Sequence, residues 1–223
     1  MPGEEINNSM PFISIISGKI RQRVEESTPG AVRRDYELKD GTKGFKYELS
    51  YSSWRGTIIK IVFKDTKYGE MMNVYFDDAI LSINTESRYF NDFARKIFSA
   101  DISDEIIVAP YDFEPQGKKK TGLNLYQGRI AKECKLQDYF YDPIKKKSIN
   151  GMPEPEGDTK AYSKSDWKMY FMLVRKFLIS KLKELEFSEV APQEKEEQDN
   201  SEIKDSEIVG KKDEVSLADI PFD

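Results

Sequence analysis

The sequence predicts a mainly β fold that carries two helices and ends in an acidic tail. Short runs rich in β-branched and aromatic residues alternate with turn signals over the first 130 residues. Apolar residues recur at helical spacing in two later segments. Charge then divides the chain: Glu189 to Asp223 holds 12 acids and 4 bases, a net of −8. Residues 1–188 hold 28 acids and 31 bases, a net of +3, so a mildly basic body carries an acidic tail.

The composition excludes several classes of function. Histidine is absent and Cys134 is the single cysteine, so neither a Cys/His zinc site nor Ser-His-Asp or Cys-His catalysis can be built. One cysteine also excludes an internal disulfide. The first residues lack the basic and apolar regions of a signal peptide, and no apolar run approaches about 18 residues. We therefore expect a cytoplasmic protein without a membrane span.

Turn signals organise the first strands into hairpins. The segment Phe12 to Val24 (FISIISGKIRQRV) predicts a first hairpin that bends near Gly18-Lys19. Thr28 to Gly30 (TPG) predicts a turn, and Asp40-Gly41 predicts a hairpin between DYELK and KGFKYELSYSS. We expect these N-terminal hairpins to be additions to the body that follows them.

Five further strands and one helix follow in a recognisable order. The predicted strands are GTIIKIVFK (Gly56 to Lys64), MMNVYFD (Met71 to Asp77), AILSIN (Ala79 to Asn84), EIIVAPYDFE (Glu105 to Glu114) and TGLNLYQGRI (Thr121 to Ile130). Between the third and the fourth, SRYFNDFARKIFSA has helical spacing, with Ser87 as its N-cap. Three strands, a helix and two strands are the element order of an OB-fold, a five-stranded Greek-key barrel with its helix between strands 3 and 4. The fold prediction is therefore an OB-fold with extra N-terminal hairpins and a C-terminal helix.

The rest of the chain divides into a helix and a polar tail. A helix is predicted from Asp166 to Glu186, with Ser165 as its cap and an apolar stripe for packing on the barrel; a partner or self-association surface is the alternative. The tail is too polar to offset the entropy of ordering, so we expect disorder. The predicted organisation is a binding domain over 1–155, a helix over 163–187 and a disordered tail over 188–223.

Aromatic residues alternate with bases along the predicted strands. Single-stranded nucleic acid is held by this pattern, because bases stack on flat side chains while Lys and Arg contact phosphates. One strand tyrosine alone is more often a half-buried packing residue, but the set favours binding. Alternation predicts a core face made of Ile59, Ile61, Phe63, Met72, Val74, Phe76, Leu123 and Leu125, with Asn73 and Asn124 pointing outward. The candidate contacts to single-stranded DNA are Trp54, Arg55, Lys60, Lys64, Tyr75, Tyr111, Lys118, Lys119, Lys120 and Tyr126.

Acidic residues give little support to catalysis. Asp77 and Asp78 are adjacent on a strand and point to opposite faces, so they do not readily share a Mg²⁺ ion. Asp101 and Asp104 flank a helix end and are typical of turns and caps. No glycine-rich phosphate loop is present in the sequence. We expect neither an enzyme nor a cofactor.

The chain ends on a short apolar peptide after a charged tether. Ile220 and Phe222 are suited to fill a small pocket, and Pro221 restricts the unbound peptide. Asp219 and Asp223 suit a basic rim. Phe222 is also the one aromatic residue after Phe187. The pattern predicts a docking tip for a partner protein; the alternative is a tail whose last apolar residues have no function.

Two parts of the sequence resemble known single-stranded-DNA-binding proteins. Asp219-Ile220-Pro221-Phe222 resembles the acidic-Ile-Pro-Phe tip of the bacterial family, in which the tip recruits replication and repair enzymes and the tail competes with DNA for the body. Roughly residues 12–155 resemble the OB-fold proteins of tailed bacteriophages, in SGKIRQRVEESTPGAVRR, KKKTGLNLYQ and NGMPEPEG.

The resemblance implies a sequence-nonspecific binder that acts in DNA replication, recombination and repair, in the host cytoplasm if it is phage-encoded. One departure concerns the tip: bacterial tips end on phenylalanine, whereas Asp223 follows Phe222 here. The alternative is an OB-like adaptor that binds protein or RNA.

We expect Phe222→Ala to abolish co-precipitation of purified replication and recombination proteins, because it removes the large apolar anchor and leaves the tail charge intact. Affinity for oligo-dT should stay nearly unchanged. Deletion of Asp223 alone is the companion variant: it strengthens docking if partners bind a terminal Phe carboxylate and weakens docking if they bind Asp223. Recruitment of every wild-type partner by Phe222→Ala would contradict the docking tip.

Overall fold

The computed structural model describes residues 10–37, 41–67, 69–128 and 134–187. The predicted docking tip, Asp219 to Asp223, lies outside these residues. The strands are β1 (Phe12–Ile16), β2 (Lys19–Val24), β3 (Val32–Glu37), β4 (Lys43–Tyr51), β5 (Trp54–Thr66), β6 (Gly69–Phe76), β7 (Ile80–Asn84), β8 (Glu105–Phe113), β9 (Lys120–Gln127), β10 (Tyr141–Asp142) and β11 (Lys147–Ser148). The helices are α1 (Arg88–Lys96) and α2 (Lys164–Lys183), with 3-10 turns at Ile97–Ser99, Pro115–Gly117 and Thr159–Ala161.

Nine of the described strands form one mixed sheet, in the order β3-β4-β2-β1-β7-β6-β5-β8-β9. The prediction of a mainly β fold is confirmed. Adjacent strands pair antiparallel except β1 and β7, which run parallel with Phe12 opposite Ile80. The first N-terminal hairpin shares the sheet and the core of the body that follows it. Because β1 occupies the edge of β7, Ile13 and Ile20 are 1% and 0% exposed and belong to the common core.

Strand β5 belongs to two parts of the sheet. Its first four residues, Trp54 to Thr57, pair with β8, and the remainder pairs with β6. The register shifts between Ile58 and Lys60, so Ile59 is the extra residue of a β-bulge. The prediction of Ile59 as a core residue is therefore wrong: Ile58 is 3% exposed and takes that place, because a one-residue shift exchanges the two faces of a strand.

The remaining core positions follow the predicted alternation. Met72, Val74 and Phe76 on β6 and Leu123 and Leu125 on β9 are all fully buried, as predicted. Ile61 and Phe63 pack against the same core while half-buried. Asn73 was predicted to point outward and is instead 6% exposed. It lies opposite Ser82 of β7, whose hydroxyl donates to its Oδ1 over 2.8 Å, and this bond compensates for the burial of the amide.

Local caps define where the two helices begin. The Ser87 hydroxyl accepts a hydrogen bond from the Phe90 N–H, which confirms the predicted cap of α1. The cap of α2 is Ser163 and not Ser165. The Ser163 hydroxyl accepts a hydrogen bond from the Asp166 N–H, and the Asp166 carboxylate accepts one from the Ser163 N–H, which completes a capping box. The helix accordingly begins at Lys164, two residues before the predicted start.

Helix α2 packs on the body through its apolar face. Val174, Leu178 and Leu182 are buried in the same core as the sheet. The Phe177 ring meets the Phe140 ring edge-on at 5.4 Å, and Arg175 pairs with Glu86 at 2.7 Å. Neither helix in the described ranges is long and apolar enough to span a membrane.

A buried carboxylate joins β3 to β4. Glu48 is 2% exposed and pairs with Arg34 at 2.8 Å and Lys46 at 2.9 Å. Burial alone would raise the pKa of Glu48, but hydrogen bonds from both cations and their charges outweigh it and hold the pKa below its ordinary value. The ion pairs therefore stabilise the edge of the sheet only while Glu48 is ionised.

We expect Glu48→Gln to lower the free energy of unfolding by about 3 kcal/mol at pH 7, because two cations lose their buried partner. The folded pKa is depressed, so this stabilisation is complete above the unfolded pKa of about 4.3 and is lost as pH falls through the folded pKa. Denaturant titrations from pH 7 downward measure the difference in unfolding free energy between Glu48→Gln and the wild type. This difference should narrow below about pH 4. Glu37→Gln, which breaks an exposed pair with Lys43, is the control; equal effects of the two variants at pH 7 would contradict the assignment.

Candidate nucleic-acid interface

The outer face of β8 and β9 carries aromatic, amide and basic side chains together. The two strands pair antiparallel, with Tyr111 opposite Gly122 and Phe113 opposite Lys120. Residues at odd positions of β8 and even positions of β9 share this face, since neighbouring side chains alternate. The opposite face supplies core residues such as Val108 and Leu125.

These side chains border a shallow groove of about 310 Å³. Its lining is Tyr111, Phe113, Lys120, Asn124 and Lys135, and we call it the Tyr111 groove. The rings of Tyr111 and Phe113 lie 5.6 Å apart between centroids, and Phe113 is 52% exposed. Two flat apolar faces and two ammonium groups therefore meet at one accessible surface.

A glycine opposite Tyr111 determines how that ring lies. A Cβ atom at Gly122 would collide with the Tyr111 hydroxyl and with a carboxylate oxygen of Asp92. Glycine thus leaves room for the phenol to cross the neighbouring strand. Burial, followed by the negative charge of Asp92, raises the pKa of Tyr111, so the phenol is neutral at physiological pH. The ring is held in place by its packing and presents an uncharged surface.

Helix α1 fixes the far edge of β9. The Leu123 N–H donates to Asp92 Oδ2 over 2.8 Å, and the ammonium group of Lys96 donates to the Leu123 carbonyl. Burial lowers the pKa of Lys96, and the nearby Asp92 carboxylate partly offsets this effect. Backbone groups that a further strand would need are thereby bonded to side chains of α1.

The chain returns to the same edge after residue 133 and brings a lysine to the groove. The Leu136 N–H donates to the Leu125 carbonyl over 2.9 Å, and the Gln127 N–H donates to the Cys134 carbonyl over 3.1 Å. Lys135 lies between these two bonds, opposite Tyr126. Its position at the groove follows from this backbone pairing.

Several predicted contacts lie at or near the Tyr111 groove. Tyr111 and Lys120 line it, and Tyr126 lies on the same face of β9. Lys118 is exposed after the 3-10 turn, and Lys119 pairs with Asp112 at 3.6 Å. Arg55 lies opposite Ile107 on the outer face and pairs with Glu105 at 3.2 Å, so part of its charge is already used.

A second group of predicted contacts lies on β5 and β6. Lys60 is exposed and opposite Tyr75, with its ammonium group 4.9 Å from the centre of the ring. Lys64 is exposed further along β5. This cation–π pair lies on the part of β5 beyond the bulge, so the structure divides the predicted residues into two groups.

Trp54 belongs to neither group. It lies opposite Val108, on the core side of β5, and its ring packs against the core and edge-on against Tyr51 at 5.2 Å. Its indole N–H donates to Asp78 Oδ1 over 3.0 Å. The structure therefore separates Trp54 from Arg55, although the two residues are adjacent in the sequence.

The acids that suggested a metal site are occupied by other contacts. Asp77 accepts a hydrogen bond from the Thr57 N–H at 3.3 Å, while Asp78 accepts from Trp54. Within the described ranges, no three potential metal ligands lie close enough to hold an ion.

Three lining residues are absent from the predicted contacts: Phe113, Asn124 and Lys135. Asn124 was predicted only to point outward. Alternation contained the signal for Phe113, which lies two positions after Tyr111 and therefore on the same face. No local signal marked Lys135, because its place depends on the return of the chain to β9.

Comparison of the chain with protein-family models, curated proteins and solved structures found no match.

We expect Phe113→Ala to weaken binding to oligo-dT by about 1–3 kcal/mol, the contribution of one stacking platform. Its melting temperature should change little, because half of the side chain is already exposed. Phe45→Ala is the matched control, since Phe45 is also 52% exposed but lies on β4. Trp54→Ala should lower the melting temperature instead. Fluorescence anisotropy and thermal unfolding separate these effects; wild-type affinity in Phe113→Ala would remove the groove from the site.

Proposed function

We propose that this protein binds single-stranded DNA without sequence preference through the Tyr111 groove. The observation that carries the proposal is the meeting of two aromatic rings and two lysines at one open surface. Successive bases stack on such rings, and ammonium groups contact the phosphates between them. Duplex DNA hides the faces of its bases, so this groove favours unpaired strands.

The lining explains the absence of base preference. Every base has a flat face to stack, whereas sequence readout requires hydrogen bonds to base edges. Among the five lining residues, Asn124 alone carries an amide that can both donate and accept. One amide distinguishes few sequences, and the lysines contact only the backbone.

The strand pairings support an OB-fold with one modification. The pairs β5–β6, β6–β7, β5–β8 and β8–β9 agree with an OB barrel, and α1 lies between β7 and β8 in the chain. β1 pairs with the edge of β7, and we propose that this arrangement is a variant of the OB-fold. OB-folds bind oligonucleotides on the face of their second and third strands and in nearby loops. Tyr75 lies on that second strand, here β6; Lys118 and Lys119 lie between β8 and β9, and Lys120 begins β9.

The sequence supports an additional role for the tail. The tail has a net charge of −8 and the body a net charge of +3. The tail is therefore suited to compete with DNA for basic surfaces of the body, at an effective concentration set by the length of the tether. Its last five residues are proposed to recruit proteins of replication, recombination and repair, as in the family that the tip resembles.

A protein-binding adaptor is the second candidate, and one observation favours it. Helix α2 exposes Met169 by 64%, Met172 by 41% and Leu173 by 53%. Methionine-rich surfaces adapt to apolar partners. Affinities for oligo-dT, duplex DNA and single-stranded RNA of equal length, measured side by side, distinguish the two candidates. A clear preference for oligo-dT supports the proposed function, and binding to none of the three favours the adaptor.

We expect the affinity for oligo-dT to fall with salt at a slope of about −0.7 in log K against log salt for each phosphate neutralised. Replacing Lys118, Lys119 and Lys120 together with Ala should make this slope shallower. Because Lys119 already pairs with Asp112, the change in slope should approach the value for two phosphate contacts and not three. Titrations at several salt concentrations measure it, and an unchanged slope would place this loop outside the site.

A further inference from the structure

Strand β2 carries a basic stripe that the sequence reasoning did not single out. Lys19, Arg21 and Arg23 alternate with Ile20, which is fully buried in the core, so the three bases share the outer face. We call these three residues the β2 stripe. At about 3.4 Å per residue, it extends over about 14 Å from Lys19 to Arg23.

The charge of the β2 stripe is not neutralised within the described ranges, where no acid lies within ion-pair distance of its residues. Arg23 lies opposite Glu48, but that carboxylate already holds Arg34 and Lys46. Arg21 Nε is buried and has no hydrogen-bond partner. A buried donor of this kind is costly unless an acceptor reaches it. An anionic oxygen that enters beside Arg21 would supply that acceptor.

The β2 stripe begins beside the Tyr111 groove. The turn between β1 and β2 packs so closely on β8 that a Cβ atom at Gly18 would collide with the backbone of Tyr111 and Asp112. Gly18 has a φ of 68° and donates its N–H to the Tyr89 hydroxyl over 3.0 Å. Glycine meets both demands, since it has no Cβ and adopts positive φ readily. Lys19 is therefore the residue next to Gly18, which contacts β8 at Tyr111 and Asp112.

An exposed aromatic residue lies next to the stripe. Phe12 of β1 is 56% exposed and shares its face with Ser14, which lies opposite Arg21. A large apolar ring in water beside unpaired arginines repeats the combination found in the groove.

We propose that the β2 stripe, with Phe12, is a second contact surface for the same single strand of DNA as it leaves the Tyr111 groove. The three bases contact successive phosphates, and Phe12 stacks one base. This inference rests on the proposed function and extends it, because it makes the DNA site longer than the groove. Oligonucleotides that fill only the groove do not reach the stripe.

The test compares two oligo-dT lengths: about 6 nucleotides, near the lower end of the site sizes of OB-folds, and about 20 nucleotides, above their upper end of about 16. The variant is the double change Lys19→Gln and Arg23→Gln in the full chain; both side chains are exposed, so the fold is retained. The matched control is Lys145→Gln with Lys147→Gln, which removes the same charge beside the small β10–β11 sheet. Phe12→Ala tests the ring separately.

With the long oligonucleotide, we expect the double variant to bind more weakly and its salt slope to become shallower by about 1.4, the value for two phosphate contacts. With the short oligonucleotide, the double variant should bind like the wild type. The control variant should bind like the wild type with both oligonucleotides. Phe12→Ala should lose affinity for the long oligonucleotide alone.

An unchanged slope with the long oligonucleotide overturns the inference and leaves the proposed function standing. Equal losses in the variant and its control also overturn it, since they reflect net charge alone. Failure of the wild-type chain to bind either length refutes the proposed function together with this inference.

Discussion

The architecture depends on the divided pairing of β5. One strand pairs with β8 through its first residues and with β6 through the rest, and a bulge at Ile59 separates the two parts. The bulge reverses the alternation at Ile59, so Ile58 is buried and Lys60 is exposed although they are two residues apart. Without it, Lys60 would face the core and the cation–π pair with Tyr75 could not form. β8 pairs with β5 on the other side of the bulge, at Trp54 to Thr57, so β5 also positions the strands that carry the Tyr111 groove.

Much of the fold could be predicted from the local periodicity of apolar residues in the sequence. Met72, Val74 and Phe76 alternate with polar neighbours, which was sufficient to predict their burial. Ser87 precedes an apolar run at helical spacing, and its capping bond was predicted correctly. These features depend on residues a few positions apart in the sequence, so they could be predicted without knowing which strands pair.

The features that escaped prediction depend on contacts between distant segments. The parallel pairing of β1 with β7 joins residues almost seventy positions apart, and no local pattern encodes it. Lys135 reaches the groove because the chain returns to β9. Trp54 looked like a stacking residue beside Arg55, but the pairing with β8 turns it toward the core. In the candidate site, the sequence indicated Tyr111 by its place at the end of a predicted strand and Lys120 by the run of three lysines, whereas the residues that lie beside them across the strands depend on the register.

The bonds from Asp92 and Lys96 to Leu123 have a consequence for self-assembly. Open strand edges are templates on which other chains polymerise. The proposed coating of a DNA strand would bring many copies of this protein close together. At Leu123 both backbone groups are already engaged by α1. Four of the six residues of β3, the outermost strand on the other side, are charged: Arg33, Arg34, Asp35 and Glu37. Charged side chains discourage pairing between edges. Both margins of the sheet are thus protected against fibrous aggregation at the crowding that a coated strand would impose.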